Sequence, residues 1–159
     1  MNNSKLFLLA GKICSGKSSL AKKLVKANDA IFISQDDLLS NLFPEEIKSL
    51  EDYSKSLRNL ISAISPLLFD ILSKNNNVVL DFPANTIEIR AWMKSIIDRS
   101  ACQHELHWLE TEDAICLERL KARNNEGIHP FQASPEQFEQ FSRYFIPPSP
   151  EEGFHIIKV

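Results

Sequence analysis

The sequence has few cysteines and no long apolar run. Its 159 residues include three cysteines, Cys14, Cys102 and Cys116, an odd number without paired metal-ligand spacing. This usage is typical of a protein from a reducing, intracellular compartment. No stretch approaches the roughly 20 apolar residues of a transmembrane helix, and the apolar run near the N-terminus is shorter than the roughly 7–15 residues of a secretory signal core. We therefore expect a cytoplasmic protein with no membrane association.

An excess of positive charge is also lacking. The formal net charge is -3 and the sequence pI is about 5.8. Proteins that bind long nucleic acids usually carry a basic surface, so a polynucleotide is an unfavoured partner. The chain has no Asn-Lys-x-Asp guanine-recognition motif, which argues against a GTP switch of the Ras type. A ring-forming mechanical ATPase would normally need a longer chain.

Two kinds of apolar segment alternate along the chain, which has an ordinary globular balance of 43% hydrophobic and 25% charged residues. Continuous apolar runs predict buried strands, and three- and four-residue spacing predicts helices between them. The predicted strands cover 5–10, 30–34, 78–81, 104–109 and 154–159. Pro66 is expected to kink or break the long helix predicted over 50–72. The alternation predicts one three-layer α/β/α domain over 1–159, with a parallel sheet covered on both faces.

The segment "AGKICSGKSS" carries the spacing of a phosphate-binding loop, with a predicted strand before it and a predicted helix after it. The two glycines allow successive backbone N–H groups to point at phosphate oxygens. The lysine would reach the β- and γ-phosphates of ATP, and the serine after it would ligate Mg²⁺. The predicted nucleotide-binding residues are Gly11, Lys12, Ile13, Cys14, Ser15, Gly16, Lys17, Ser18 and Ser19.

Three carboxylates follow predicted strands, so they should lie at the same edge of the sheet as the phosphate loop. Asp81 ends the third strand and is the expected partner of Ser18 on the magnesium side of the site. Asp36 and Asp37 follow the second strand. One of them could orient an acceptor hydroxyl and take its proton, while the other caps a helix beginning near Leu38; alternatively, both are caps and turn residues.

Basic residues near a polar loop complete the candidate site. Arg119 and Arg123 lie four residues apart on one helix face and could clamp a migrating phosphoryl group. The alternative is a surface pair satisfied by neighbouring glutamates. The segment 119–134 is predicted to form a lid. Arg90 follows Asp81 closely enough to contact an acceptor.

Taken in order, "GKICSGKSS", "SQDDLL", "VVLDFPAN" and "ERLKAR" resemble the small P-loop kinases of the AAA-like, polynucleotide-kinase and zeta-toxin group. The resemblance implies a P-loop NTPase fold with strand order 2-3-1-4-5 and ATP- and Mg²⁺-dependent phosphorylation of a hydroxyl. It also implies Asp36 as the general base, Arg119 with Arg123 as the clamp, and Asn85 on the acceptor side. Asp37 and Arg90 are the further candidate acceptor contacts.

Two departures from this group bear on the substrate. Leu39 stands where phage polynucleotide kinase-like enzymes have an arginine that meets the acceptor's phosphate, which again disfavours a polynucleotide. Because the chain ends in the fifth strand, adenine would be held by the lid helix and the turn over 147–153. The predicted function is a kinase of a small acceptor such as a nucleoside, sugar or nucleotide-sugar. One alternative is a regulatory ATPase. The other is a nucleotide binder without turnover, and the intact loop argues against this second alternative.

Overall fold

Five parallel strands form the centre of the computed structural model, which describes residues 2–127 and 132–159. Their order in the sheet is β2-β3-β1-β4-β5, and each neighbouring pair is parallel. This confirms the predicted sheet and its strand order. The strands are β1 (Lys5–Ala10), β2 (Ile31–Ser34), β3 (Val78–Pro83), β4 (Gln103–Trp108) and β5 (Ile156–Lys158).

Helices connect consecutive strands and cover the sheet. They are α1 (Lys17–Asn28), α2 (Gln35–Leu42), α3 (Leu50–Ser73), α4 (Ile87–Ser100), α5 (Asp113–Glu126) and α6 (Pro135–Arg143), with a short 3-10 turn at Pro150–Glu152. Ser134 and Gln137 form a capping box at the start of α6. Residues 128–131 of the predicted lid lie outside the described residues. No helix in the described ranges is both long and apolar enough to cross a bilayer.

The central strand β1 is apolar on both faces because helices pack against both. Leu6 and Leu8 belong to the larger core, which contains residues of α3 and α4. Phe7 and Leu9 belong to the core that includes α1. A third, smaller cluster joins α5 and α6 to the phosphate loop and is built on Cys116, Leu120 and Phe138. The sheet and these clusters fix the loop at the carboxyl end of β1.

Strand β2 differs from its prediction as a buried strand. It is an edge strand of the sheet, and Ile31 and Phe32 are 42% and 37% exposed. Its apolar run indicated a strand correctly. However, such a run cannot distinguish a central strand from an edge strand, because that depends on the order of the strands in the sheet.

Helix α3 continues through Pro66, so of the expected kink or break, the break is wrong. The buried residues Leu60, Ile64, Leu68 and Leu72 follow one another at four-residue spacing on both sides of the proline. Their packing against the core stabilises the helix across the backbone donor that the proline lacks.

Candidate nucleotide and phosphotransfer site

The phosphate loop turns sharply between β1 and α1, and two glycines make the turn possible. A Cβ on Gly11 would lie 2.5 Å from Ser15 Oγ and 3.1 Å from the Leu109 carbonyl oxygen, so a side chain has no room there. Gly16 has a φ of 106°, which L-residues with side chains rarely adopt. Within the loop, the Ser15 backbone N–H donates to the Lys12 carbonyl at 3.1 Å.

The beginning of α1 has the properties of an anion site. Its N-cap is Gly16, which has no side chain to accept from the first backbone N–H groups, and the first turn contains no acidic residue. Those N–H groups have no acceptor within the helix, and the helix dipole adds a partial positive charge. Ser15 Oγ is buried without a hydrogen-bond partner among the described residues. Free donors and a buried, unpaired hydroxyl fit a bound phosphate chain.

Lys17 lies folded back over the loop. Its Nζ donates to the carbonyl oxygens of Gly11 and Lys12, the latter at 2.8 Å. Burial lowers the pKa of Lys17 to about 8, and the negative charges of Asp81 and Asp36 only partly oppose this shift. A cation held at this depth beside donor groups can be stabilised by an incoming phosphate, whose negative charge favours the protonated lysine.

Ser18 and Asp81, which are predicted to hold magnesium, lie next to each other. Ser18 Oγ donates to Asp81 Oδ2 at 3.1 Å. Burial is the main cause that raises the pKa of Asp81, and the charges of Asp36 and Asp37 add to it. Among the described residues, no group of three or more His, Cys, Asp or Glu side chains could hold a metal. Two oxygens from the protein fit Mg²⁺, which usually completes its shell with phosphate oxygens and water.

Asp36 and Asp37 lie in the first turn of α2, which begins at Gln35 and not near Leu38. The cap is Ser34, whose Oγ accepts from the Asp37 backbone N–H at 3.2 Å, so the prediction that an aspartate caps this helix is wrong. A strand residue already in extended conformation is well suited to that role. Asp36 is half-buried and its charge acts on both Lys17 and Asp81, whereas Asp37 is exposed.

The α5 helix holds Arg119 against the phosphate loop. Arg119 Nη1 donates to the Cys14 carbonyl at 3.3 Å, and the Arg119 side chain is otherwise exposed. Thr111 Oγ1 donates to the Ser15 carbonyl at 2.7 Å, just before the helix. Arg123 lies one turn further along and is half-buried. The structure therefore places Arg119 in contact with the loop.

Asn85 and Arg90 both make hydrogen bonds within the protein. The Asn85 side-chain amide bonds to the N–H and to the carbonyl of Gly11 in the phosphate loop. Arg90 has 0% exposure and its Nε donates to Glu152 Oε1 at 2.8 Å. The prediction of Arg90 as an acceptor contact is therefore wrong, because a side chain without accessible surface has none to offer a substrate.

Sequence reasoning missed a polar pair beside Asp36. Gln35 is buried, and its Nε2 donates to the Tyr53 hydroxyl at 2.6 Å. Burial raises the pKa of Tyr53 to about 12, so the hydroxyl remains protonated. The Tyr53 ring also meets Phe141 of α6 edge-on, with centroids 6.1 Å apart. Tyr53 falls in the apolar repeat of α3, so its spacing in the sequence is that of a core residue.

The parallel sheet in this order, with the Gly11–Ser18 loop between β1 and α1, defines a P-loop NTPase-like domain. More narrowly, the chain belongs to the AAA_33 family of AAA domains, whose model matches residues 6–148. No curated protein matches the sequence.

Several solved structures share the fold at low sequence identity. A protein from Chloroflexus aurantiacus, provisionally classed as a kinase, has a TM-score of 0.79 and 19% identity, over 100% of this chain and 86% of its own. Chaetomium thermophilum Kti12 in complex with ADP-AlF3 has a TM-score of 0.75 and 14% identity, over 97% and 88%. Mycobacterium tuberculosis APS kinase CysC in complex with AMPPNP and APS has a TM-score of 0.60 and 22% identity, over 99% and 90%. Kinases are therefore among the structural neighbours.

Proposed function

We propose that the protein transfers the γ-phosphoryl group of ATP to a hydroxyl of a small acceptor, in a Mg²⁺-dependent reaction. The observation that carries the proposal is the position of Asp36, whose charge acts on both Lys17 and Asp81 at the edge of the sheet next to the phosphate loop. Transfer to a hydroxyl requires a group that orients the hydroxyl and takes its proton, and a half-buried carboxylate at this place can do both.

Each group in the site has a distinct task. The backbone N–H groups at the start of α1 bind the phosphates, and Lys17 neutralises the β- and γ-phosphate charge. Ser18 and Asp81 would hold Mg²⁺, which would neutralise the negative charge that develops on the phosphate groups. Asp36 accepts the proton of the acceptor hydroxyl and orients its oxygen for in-line attack. Arg119 then stabilises the negative charge of the transferring group, and Arg123 is its proposed partner.

A small acceptor is favoured over a nucleic-acid end. Leu39 is fully buried, so this position on α2 offers neither a charge nor a surface to an acceptor phosphate. The APS kinase structure holds AMPPNP and APS together, which supports a nucleotide site beside a small-molecule site on this fold. A nucleoside, a sugar or a nucleotide-sugar is consistent with these features.

The test is ADP formation from ATP and Mg²⁺ across a panel of small hydroxyl acceptors. We expect one acceptor class to increase the rate strongly, and Asp36→Ala to lower transfer by about a hundredfold or more with ATP affinity nearly unchanged. Asp70→Ala is the control, because it removes an exposed carboxylate of α3 that lies outside the candidate site. Lys17→Ala gives the background rate. Equal rates for Asp36→Ala and the wild type would contradict the assignment of the base.

A regulatory P-loop ATPase without a small acceptor is the alternative. Its support is that the matching family is described as an AAA domain. Slow hydrolysis that is indifferent to every acceptor and to the loss of Asp36 would favour it.

A further inference from the structure

Asn85 holds both polar backbone groups of the first loop glycine. Its Oδ1 accepts from the Gly11 N–H at 2.9 Å, and its Nδ2 donates to the Gly11 carbonyl at 2.8 Å. These contacts join residues 74 positions apart in the chain. Glycine is the residue with the greatest backbone freedom, and a pair of hydrogen bonds to its N–H and C=O restricts that freedom on both sides. The asparagine amide supplies this acceptor and this donor from one planar group.

The same residue connects the loop to the segment 144–152, here named the return segment, which follows α6. The Asn85 carbonyl accepts from the Ile146 N–H at 2.9 Å. Arg90 fixes the segment a second time, since its Nη1 donates to the carbonyls of Ala84 and Ile146 at 2.9 and 2.7 Å. Its Nε binds Glu152. The buried guanidinium of Arg90 thus connects Ala84, which directly precedes Asn85, to the return segment.

We propose that Asn85 is a positioning residue that sets the conformation of the phosphate loop and couples it to the return segment. Nucleotide binding would then be sensitive to Asn85 through the conformation of the loop. Arg90 and Glu152 support the coupling by holding the return segment in place. The inference rests on the proposed function in one respect, namely that the loop binds a nucleotide.

The variant Asn85→Asp separates positioning from simple packing. An ionised aspartate has the same shape but no donor, so it would face the Gly11 carbonyl with a negative charge. A protonated aspartate restores both the donor and the acceptor. We therefore expect Mg·ADP to bind at least about tenfold more weakly than to the wild type at pH 8. The ratio of the Asn85→Asp affinity to the wild-type affinity should approach one as the pH falls toward 5.5. Taking the ratio at each pH corrects for other titrating groups, because they affect both proteins.

Asn77→Asp is the matched control. Asn77 makes the same pair of bonds, accepting from the Lys5 N–H and donating to the Asn28 carbonyl, both at 2.9 Å, at the opposite end of the sheet. We expect it to lower the melting temperature without a pH-dependent loss of Mg·ADP affinity. An affinity for Asn85→Asp that is equal to wild type at every pH, or reduced by the same factor at every pH, would overturn the positioning role.

Amide hydrogen exchange tests the coupling to the return segment. In the wild type, Mg·ADP should slow exchange at Ile146 and its neighbours, and this protection should be largely lost in Asn85→Asp at pH 8 when the site is saturated. Equal protection in both proteins would overturn the coupling. A wild-type protein that binds no ADP or ATP would instead show that the proposed function itself is wrong, and the inference would fall with it.

Discussion

Ser18 Oγ lies 3.1 Å from Asp81 Oδ2, across 63 positions of the sequence. The hydroxyl belongs to the first turn of α1 and the carboxylate to β3, and the adjacent strands β1 and β3 bring them together. A hydroxyl and a carboxylate at this distance are the two oxygens that a phosphate-bound Mg²⁺ would take from the protein.

Asp81→Asn should weaken the response to magnesium. The amide keeps the size of the side chain and can still accept from Ser18, but it removes the negative charge that would attract the ion. We expect the Mg²⁺ concentration for half-maximal activity to rise by at least about tenfold and the maximal rate to fall by about a hundredfold. A magnesium titration of ADP formation measures both. A variant with an unchanged magnesium response would exclude Asp81 from the metal site.

The same substitution should stabilise the protein at neutral pH. The pKa of Asp81 is raised in the folded state, chiefly by burial, so its charged form is less stable there than in the unfolded chain. A raised carboxyl pKa contributes stability below the unfolded value of about 3.9, and this contribution is lost as the pH rises through the folded value. In EDTA, Asp81→Asn should therefore melt above the wild type at pH 7.5, with a difference that shrinks toward pH 4. A lower melting temperature at pH 7.5 would contradict this account.

Local patterns predicted most of the fold. Each predicted strand and helix exists in the structure. They could be predicted because apolar periodicity and the Gly11–Ser18 spacing depend on residues close together in the chain. The errors concern properties that neighbours cannot determine. Whether Ile31 and Phe32 are buried depends on which strand lies next to β2, and the continuity of α3 at Pro66 depends on the core beneath it.

In the site, too, local features could be predicted and long-range contacts could not. The loop and the strand-end position of Asp81 follow from local motifs, and the start of α2 was missed because Ser34 was counted as strand alone. The partners of Asn85 and Arg90 are 74 and 62 positions away, so their role follows only from the assembled fold. A buried arginine looks like a surface arginine in a sequence until its acceptors are known.

Nucleotide affinity should decrease in alkaline solution because of Lys17. Its pKa is lowered to about 8 by burial, so the free protein loses the ammonium charge above that pH. If the bound nucleotide requires the protonated lysine, the affinity should be nearly constant from pH 6.5 to 7.5 and fall by up to about tenfold per pH unit above 8. Lys17→Arg should bind more weakly but independently of pH in this range, because arginine stays charged. Titration calorimetry with ADP can compare the two, and a flat wild-type profile up to pH 9.5 would contradict the expectation.

Loss of Arg90 should be strongly destabilising. Arg90 has 0% exposure and donates hydrogen bonds to Glu152 and to the carbonyls of Ala84 and Ile146. Arg90→Met would remove all of these hydrogen bonds. Removing one partner of a buried ion pair typically costs about 3–5 kcal/mol. The control is Arg99→Met, since Arg99 lies exposed with its guanidinium 4.4 Å from the centre of the Phe69 ring and should cost less than about 1 kcal/mol. Urea denaturation measures both, and similar losses would show that the Arg90 network adds nothing to stability.

Arg119 should act on the rate of transfer and little on nucleotide binding. Its guanidinium reaches the loop through the Cys14 carbonyl at 3.3 Å but is otherwise exposed, so it is free to move toward a phosphoryl group. A charge that neutralises the transition state more than the ground state changes kcat and leaves KM for ATP nearly constant. We expect Arg119→Ala to lower kcat by about a hundredfold, and Lys121→Ala, which removes an exposed cation from the same helix, to retain activity. If Arg119→Ala instead raised KM with kcat unchanged, the side chain would bind the nucleotide uniformly and would not be the clamp.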